Sequence, residues 1–346
     1  KLAFEKALIF DGISIWTSLI VLLITTITLL VARESRAVSG KQFSEFLFLV
    51  LNAAIGMLLV VWSNDLIVLF VGIEYMSLAL YILIALSAEL NFSKEAAFKY
   101  FVLGSFASAV MLYGMSFIYG STGTTYISEI TLVAAELAST NRLFLMSVIL
   151  TVIGLCFKVA IVPFHMWTPD VYQGSSTPVT GFMATGVKAV TLAFFLRFVA
   201  TEALISPRAS SLIAVLQWLA VLSILVGNIG AIMQDNLKRM LAYSSVAHSG
   251  YALIGVIAAA VGGYSLLGAS GLIFYIFAYS LMTIGAFAAL SLFEKTENSL
   301  VRVQDLKGLA SQNPWVAVWV TIFMLSLTGI PPTVGFFGKF FLFSAA

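Results

Sequence analysis

Lys158, Lys188, Lys339 and Glu74 lie inside long apolar stretches, well away from the ends of those stretches. An ionised side chain at bilayer depth costs several kcal/mol or more unless it is paired or hydrated, so such residues mark ion pathways by default. A lysine ammonium donates protons and its neutral amine accepts them. A nearby carboxylate stabilises the ammonium, and moving the two apart frees the proton. Three lysines and one glutamate placed in this way point to a route for protons or ions through a membrane.

Each of the four also has a purely structural reading. Glu74, in Val71-Gly72-Ile73-Glu74-Tyr75-Met76, is about 12 Å into its helix at 1.5 Å per residue. It could be a protonated acid bonded to a neighbouring helix, or a carboxylate paired with a lysine. The rarity of intramembrane carboxylates favours function. Lys158 could snorkel to a surface, but it lies one turn before Pro163. Lys188 is about 18 Å along its helix, beyond easy snorkelling. Lys339 follows Gly335-Phe336-Phe337-Gly338.

Other polar residues carry weaker signals. His165, His248 and Lys238 are candidate relays, since imidazole changes charge near neutral pH and Lys238 could admit protons at a helix start. Each could equally do nothing but bond a neighbour. Ser244, Ser245, Ser249 and Thr185 could hold water wires or serve plain helix packing. Arg197 is expected to snorkel at its helix end, and Asp11 to favour a helix N-terminus.

The elements that must position these residues are membrane helices. The chain is 61% hydrophobic and 10% charged, with a mean hydropathy of +1.04. A soluble protein carries about 25% charged residues. Stretches of about 20 apolar residues predict an all-α transmembrane bundle of ten helices: 9–32, 43–62, 66–88, 96–119, 143–162, 177–201, 211–232, 238–260, 265–292 and 313–345. Residues 128–138 predict a short surface helix. With faces assigned by alternation, one face carries Arg33, Arg36, Lys41, Lys94, Lys99, Lys238, Arg239, Lys295, Arg302 and Lys307. The other carries only Lys1, Lys6, Arg142 and Arg208. The positive-inside rule makes the richer face cytoplasmic.

Two segments are too long for simple spans. From Leu143 to Tyr172 a straight helix would run about 45 Å, against about 30 Å of hydrocarbon, and Pro163 falls inside it. The last segment is interrupted by Gly329-Ile330-Pro331-Pro332. Both predict broken helices, because proline removes a backbone donor and clashes with the preceding turn. Broken helices beside ionisable groups mark transporter sites. They are fifth and tenth in order, and an odd offset reverses orientation in the membrane. The organisation expected is one transmembrane domain of inverted five-helix repeats, about 43–201 and 211–346, the second incomplete. The start at Lys1, with no signal-peptide pattern before Asp11, and the end at Ala346 read as an incomplete chain.

Composition excludes several functions. The net charge of +2 and the lack of a basic run argue against nucleic acid. The single cysteine, Cys156, excludes an internal disulfide and any four-thiolate cluster. Two histidines are a poor basis for a metal site. No phosphate-binding glycine loop follows a strand. The expectation is that this chain binds no cofactor or metal.

The stretch Phe157-Lys158-Val159-Ala160-Ile161-Val162-Pro163-Phe164-His165-Met166-Trp167-Thr168-Pro169-Asp170-Val171-Tyr172-Gln173-Gly174 is distinctive. So are Asn64-Asp65-Leu66-Ile67 leading to Glu74, Lys238-Arg239-Met240-Leu241-Ala242-Tyr243-Ser244-Ser245, and Gly329-Ile330-Pro331-Pro332 running to Lys339. Together they resemble the antiporter-like subunits of respiratory complex I, most closely the N-type, called subunit 2 in plastid and cyanobacterial relatives. Subunits L and M usually read Leu-Pro-Asp-Ala where this chain has Thr168-Pro169-Asp170-Val171, and commonly place histidine where Lys188 sits. The resemblance covers nearly the whole chain. It implies a fourteen-helix subunit of which ten are present, and a hydrated central axis falling on Glu74, Lys158, Lys188 and Lys339. It implies proton translocation driven by electron transfer to quinone elsewhere, as a non-redox part of an NADH–quinone oxidoreductase. NADH or ferredoxin, FMN, iron–sulfur clusters and quinone would be held by other subunits. The partners implied are M-type, K-type and small membrane subunits within a bacterial inner membrane, or a thylakoid membrane. A cation/proton antiporter and a membrane-bound hydrogenase or formate-linked complex are the alternatives.

Overall fold

The computed structural model describes residues 1–35, 38, 42–86, 91–199, 210–261, 266–292 and 302–346. Four of the charges used for orientation, Arg36, Lys41, Arg208 and Lys295, lie outside the described residues. The chain opens with a two-residue hairpin, β1 (Leu2–Ala3) and β2 (Leu8–Ile9), and is otherwise helical.

Each of the ten expected spans contains helix among its described residues, and eight of the helices are long and apolar enough to cross a membrane. The first four are α1 (Gly12–Glu34), α2 (Phe43–Trp62), α3 (Leu66–Leu86) and α4 (Asn91–Thr122). A surface helix, α5 (Ile127–Thr140), then meets α6 (Arg142–Lys158) at 119°. α5 buries Ile127, Ile130, Ala134 and Ala138 on one face and exposes Leu132 on the other, as expected of an amphipathic helix. After the first break come α7 (Thr168–Gly174), α8 (Thr177–Phe182), a π-helical turn (Met183–Val187) and α9 (Lys188–Val199). The second half holds α10 (Ser210–Ile232), α11 (Leu237–Val261), α12 (Leu266–Ser291), a small α13 (Leu309–Gln312), α14 (Pro314–Thr328) and α15 (Val334–Ala345).

Local chemistry sets the helix starts. Asp11 caps α1: its Oδ1 accepts from the Ser14 amide at 2.8 Å, and Ser14 Oγ accepts from the Asp11 amide at 2.7 Å. This reciprocal box satisfies two otherwise orphaned donors. Asn141 caps α6 by accepting from the Leu143 amide at 2.9 Å. Prolines open α7, α8 and α14, where a missing N–H costs nothing. At Gly56 a Cβ would lie 2.5 Å from the Met76 amide nitrogen, so glycine is what lets α2 and α3 pack this closely.

Helices are layered by burial. The apolar window of the span Thr177–Val199 is entirely buried, whereas only 28% of that of α10 is. Outer helices turn Trp16, Phe106 and Trp218 outward, where lipid accepts them. Lys158 and Lys188 are thus enclosed by helices rather than facing hydrocarbon.

Both expected breaks are present. α6 stops at Lys158, Ala160 takes a left-handed φ of 58°, and helix resumes at Thr168. α14 stops at Thr328, Gly329 takes φ 87°, and α15 begins at Val334. The π-helical turn before Lys188 was not legible from the sequence; such wide turns are frequent at functional sites.

Candidate functional site: a buried hydroxyl and lysine chain

At the first break, backbone groups freed by the interruption find partners in protein, as membrane depth demands. The Val162 amide donates to Ser223 Oγ on α10 at 3.0 Å. Trp167 Nε1 donates to the Phe157 carbonyl at 3.2 Å. Ser249 on α11 donates to the Val159 carbonyl at 2.5 Å. One residue before that carbonyl, Lys158 donates from Nζ to Ser77 Oγ on α3 at 2.8 Å.

Glu74 is half-buried, three residues before Ser77 on α3, and accepts a short hydrogen bond from Ser108 on α4. The sequence leaves Glu74 two readings, a protonated acid bonded to a neighbouring helix or a carboxylate paired with a lysine. Among the described residues the two charges instead take different serines, with Ser77 beside Lys158 and Ser108 beside Glu74.

Lys188 uses all three of its donors. It reaches the Ser245 carbonyl at 2.6 Å, Ser245 Oγ at 2.5 Å and Ser249 Oγ at 2.7 Å. Ser249 therefore touches both Lys188 and the carbonyl next to Lys158. α11 supplies both serines, one turn apart, which is why they converge on one ammonium. Thr185, another candidate hydroxyl, bonds the Gly181 carbonyl of its own span at 2.7 Å and stays outside this chain.

Lys339 on α15 is half-buried and bonds the Leu327 and Thr328 carbonyls at 3.0 Å each. These carbonyls are freed by the second break. Its Nζ lies 4.9 Å from the centre of the Tyr251 ring, within cation–π range. His248 sits between the two lysines: its Nδ1 shares a 2.6 Å hydrogen bond with Tyr275 OH.

The other candidate relays separate. Lys238 is buried and donates to the Ser175 carbonyl at 3.1 Å. His165 lies inside the first break with its ring 6.4 Å from that of Tyr243, and no described hydrogen bond joins it to the lysines. No group of three or more His, Cys, Asp or Glu among the described residues could hold a metal ion.

Two ionic clusters escaped the sequence. Arg197 does not snorkel. Its side chain is only 10% exposed, and it pairs with both Asp11 oxygens at 2.9 and 3.0 Å and with the Val61 carbonyl at 2.7 Å. Burial pushes the Asp11 carboxyl up, but the Arg197 charge and the Ser14 bonds outweigh this and hold it below its usual value. Asp170 on α7 receives Arg239 at 2.6 Å and Lys99 at 3.1 Å. Burial again raises that carboxyl, and the bonds from Arg239 and Lys99 hold it below its usual value. This cluster ties the segment after the break to α4 and α11.

Residues 63–346 match the model of the NADH:quinone oxidoreductase/Mrp antiporter transmembrane family. The chain belongs to that family. The match takes in Glu74, Lys158, Lys188 and Lys339. An NADH-quinone oxidoreductase subunit N from Bdellovibrio bacteriovorus is 55% identical over 100% of this chain and 71% of its own length. A subunit N from Rhodospirillum rubrum is 40% identical over 100% of this chain and 70% of its own. Among solved structures, a chain of respiratory complex I from Thermus thermophilus with bound aureothin has a TM-score of 0.83 and 38% identity, covering 100% of this chain and 71% of that one. A chain of the Mrp complex from Dietzia sp. has a TM-score of 0.84 at 26% identity, covering 98% and 61%. Family membership and the apolar spans make this an integral membrane protein.

Proposed function

We propose that this chain is an N-type proton-translocating membrane subunit of an NADH–quinone oxidoreductase of the complex I type, in a bacterial membrane. The observation that carries the reading is the buried chain from Ser77 and Lys158, through the Val159 carbonyl and Ser249, to Lys188. It holds Lys188, through Ser249, against the backbone next to Lys158, so two buried lysines share one polar region in an interior where isolated charges would be destabilising. In this reading Glu74 and Lys158 form the switch, Lys188 the central carrier and Lys339 the far carrier, with His248, Lys238 and His165 as relays.

While Glu74 lies near Lys158, the ammonium is favoured. When the carboxylate moves away or is neutralised, Lys158 gives up its proton towards Lys188. A Coulomb change of about 2–3 kcal/mol would move such a group by about two pKa units. Electron transfer from NADH or ferredoxin through FMN and iron–sulfur clusters to quinone would take place on other subunits. M-type, K-type and small membrane subunits would be the neighbours. The repeats 43–201 and 211–346 would bring the two broken helices into opposite orientation, with the lysine-rich face cytoplasmic. Relatives named as subunit N reach 55% identity, against 26% for the Mrp structure, which favours the oxidoreductase over an antiporter.

The test is Lys158→Met and Glu74→Gln in the assembled complex, followed by proton pumping and quinone reduction in membrane vesicles. Loss of pumping, with coupled loss of quinone reduction, supports the reading. Wild-type rates of both in both variants would contradict it.

A further inference from the structure

Between Lys188 and Lys339 two hydroxyl groups remain that neither the motifs nor the lysine axis accounts for. Tyr279 on α12 shares a 2.8 Å hydrogen bond with Ser245 Oγ, the hydroxyl that receives Lys188 Nζ at 2.5 Å. Tyr275, one turn earlier on α12, holds His248 Nδ1 at 2.6 Å. The His248 ring stands 5.1 Å from the Tyr279 ring and 6.1 Å from the Tyr275 ring. All of these groups are buried. A cavity of about 10 Å³, lined by Lys188, His248, Ser249, Tyr275 and Tyr279, lies among them. That is about the space of one water molecule.

On the far side, Tyr251 stands between the imidazole and the last lysine: its ring centre lies 5.6 Å from that of His248 and 4.9 Å from Lys339 Nζ. Lys339 Nζ is held there by the Leu327 carbonyl at 3.0 Å. The break at Gly329-Ile330-Pro331-Pro332 is what leaves this carbonyl free.

We propose that Tyr279, one water in this cavity and His248 form the proton bridge from Lys188 to Lys339, and that Tyr275 is the positioning residue that fixes the His248 ring. The proposal rests on the lysine axis reading and deepens it. In the forward direction the N–H bond of the Lys188 ammonium breaks as Ser245 Oγ takes the proton, and the Ser245 hydroxyl proton passes to the Tyr279 oxygen. The Tyr279 proton passes through the water to the bare Nε2 of His248, giving imidazolium, while Nδ1–H stays on the Tyr275 oxygen. The imidazolium returns to neutral by protonating Lys339, which must be in its amine form. One N–H bond is lost at Lys188 and one gained at Lys339, and no electrons move. Tyr275 accepts from Nδ1–H in both charge states, so it holds the ring while Nε2 takes and gives the proton.

The experiment uses the assembled complex in proteoliposomes, with Tyr279→Phe, Tyr275→Phe and Lys188→Met prepared in parallel and their assembly checked by complex yield. Pumping rate and its solvent deuterium isotope effect are read together, because a packing role alone would not raise the isotope effect. The expectation is that Lys188→Met blocks pumping, while each Tyr→Phe variant slows it at least about fivefold and raises the isotope effect, as loss of a proton-transfer group should. If Lys188→Met blocks pumping but both tyrosine variants keep the wild-type rate and isotope effect, the tyrosine bridge is wrong and the lysine axis stands. If Lys188→Met pumps normally, the axis is wrong and the bridge falls with it. Should Tyr275→Phe fail to assemble, Tyr279→Phe alone decides.

Discussion

Ser249 stands between Lys188 and the broken helix: it accepts from Lys188 Nζ at 2.7 Å and donates to the Val159 carbonyl at 2.5 Å. A single hydroxyl thus ties the central lysine to the backbone next to Lys158. Ser249→Ala removes that tie and leaves a buried carbonyl without its partner, a loss of about 1–3 kcal/mol. The expected result is lower thermal stability of the complex and several-fold slower pumping. Ser249→Thr, which keeps the hydroxyl, should stay near wild type on both measurements.

Ser77 is the only hydrogen-bond partner shown for the Lys158 ammonium among the described residues. Ser77→Ala leaves a buried ammonium with fewer acceptors, and a hydrogen bond to a charged group is worth about 1.5–3 kcal/mol. Lys158 should then release its proton more easily, and the pumping-rate profile should shift to lower pH. A pH profile identical to wild type would show that Ser77 does not set the ammonium's environment.

The Asp11–Arg197 pair joins the start of α1 to the end of α9 and to the last turn of α2. Arg197→Gln strands a partly buried carboxylate, and Asp11→Asn strands a more deeply buried guanidinium. Each single change should destabilise the folded subunit by about 1–3 kcal/mol, moderated by the exposure of Asp11. The double variant should lose less than the sum. A double-mutant cycle by thermal unfolding reads the coupling, and strict additivity would contradict it.

Much of this architecture was legible because its signals are strong. Long apolar runs fixed the ten helices, and Pro163 with the Gly329–Pro332 run located both breaks. Glu74, Lys158, Lys188 and Lys339 stood out because charge is rare in apolar sequence. The connections between them were not legible. Ser77, Ser108, Tyr275 and Tyr279 are ordinary residues for a membrane helix, and only tertiary packing shows that they touch the charges. That Glu74 takes Ser108 and Lys158 takes Ser77 was hidden for the same reason: spacing within one helix says nothing about which residue of a neighbour faces it. Arg197 was misplaced because its partner, Asp11, is far away in sequence. The π-helical turn before Lys188 has no sequence signature at all.

Asp170 links α7 to α4 and α11 through Lys99 and Arg239. Its folded carboxyl is held below its usual value, so its contribution is full above the unfolded value of 3.8 and is lost as pH falls through the lower folded value. The cluster should therefore survive mild acid unchanged. Infrared titration of wild type against Asp170→Asn should show no protonated-carboxyl band from Asp170 above pH 3.8. Such a band appearing above that value would reverse the sign of the argument.

In the function proposed, protons cross this chain through Lys188. The most direct measurement is proton uptake and release by the complex in proteoliposomes, at matched quinone-reductase assembly, for wild type, Lys188→Arg and Lys188→Met. Methionine keeps the length of the side chain and removes its proton. The account predicts that Lys188→Met loses at least about nine-tenths of proton pumping, in the range expected for a missing acid–base group, while Lys188→Arg, too basic to release its proton readily, is also severely slowed. Wild-type pumping by the Lys188→Met complex would contradict the account.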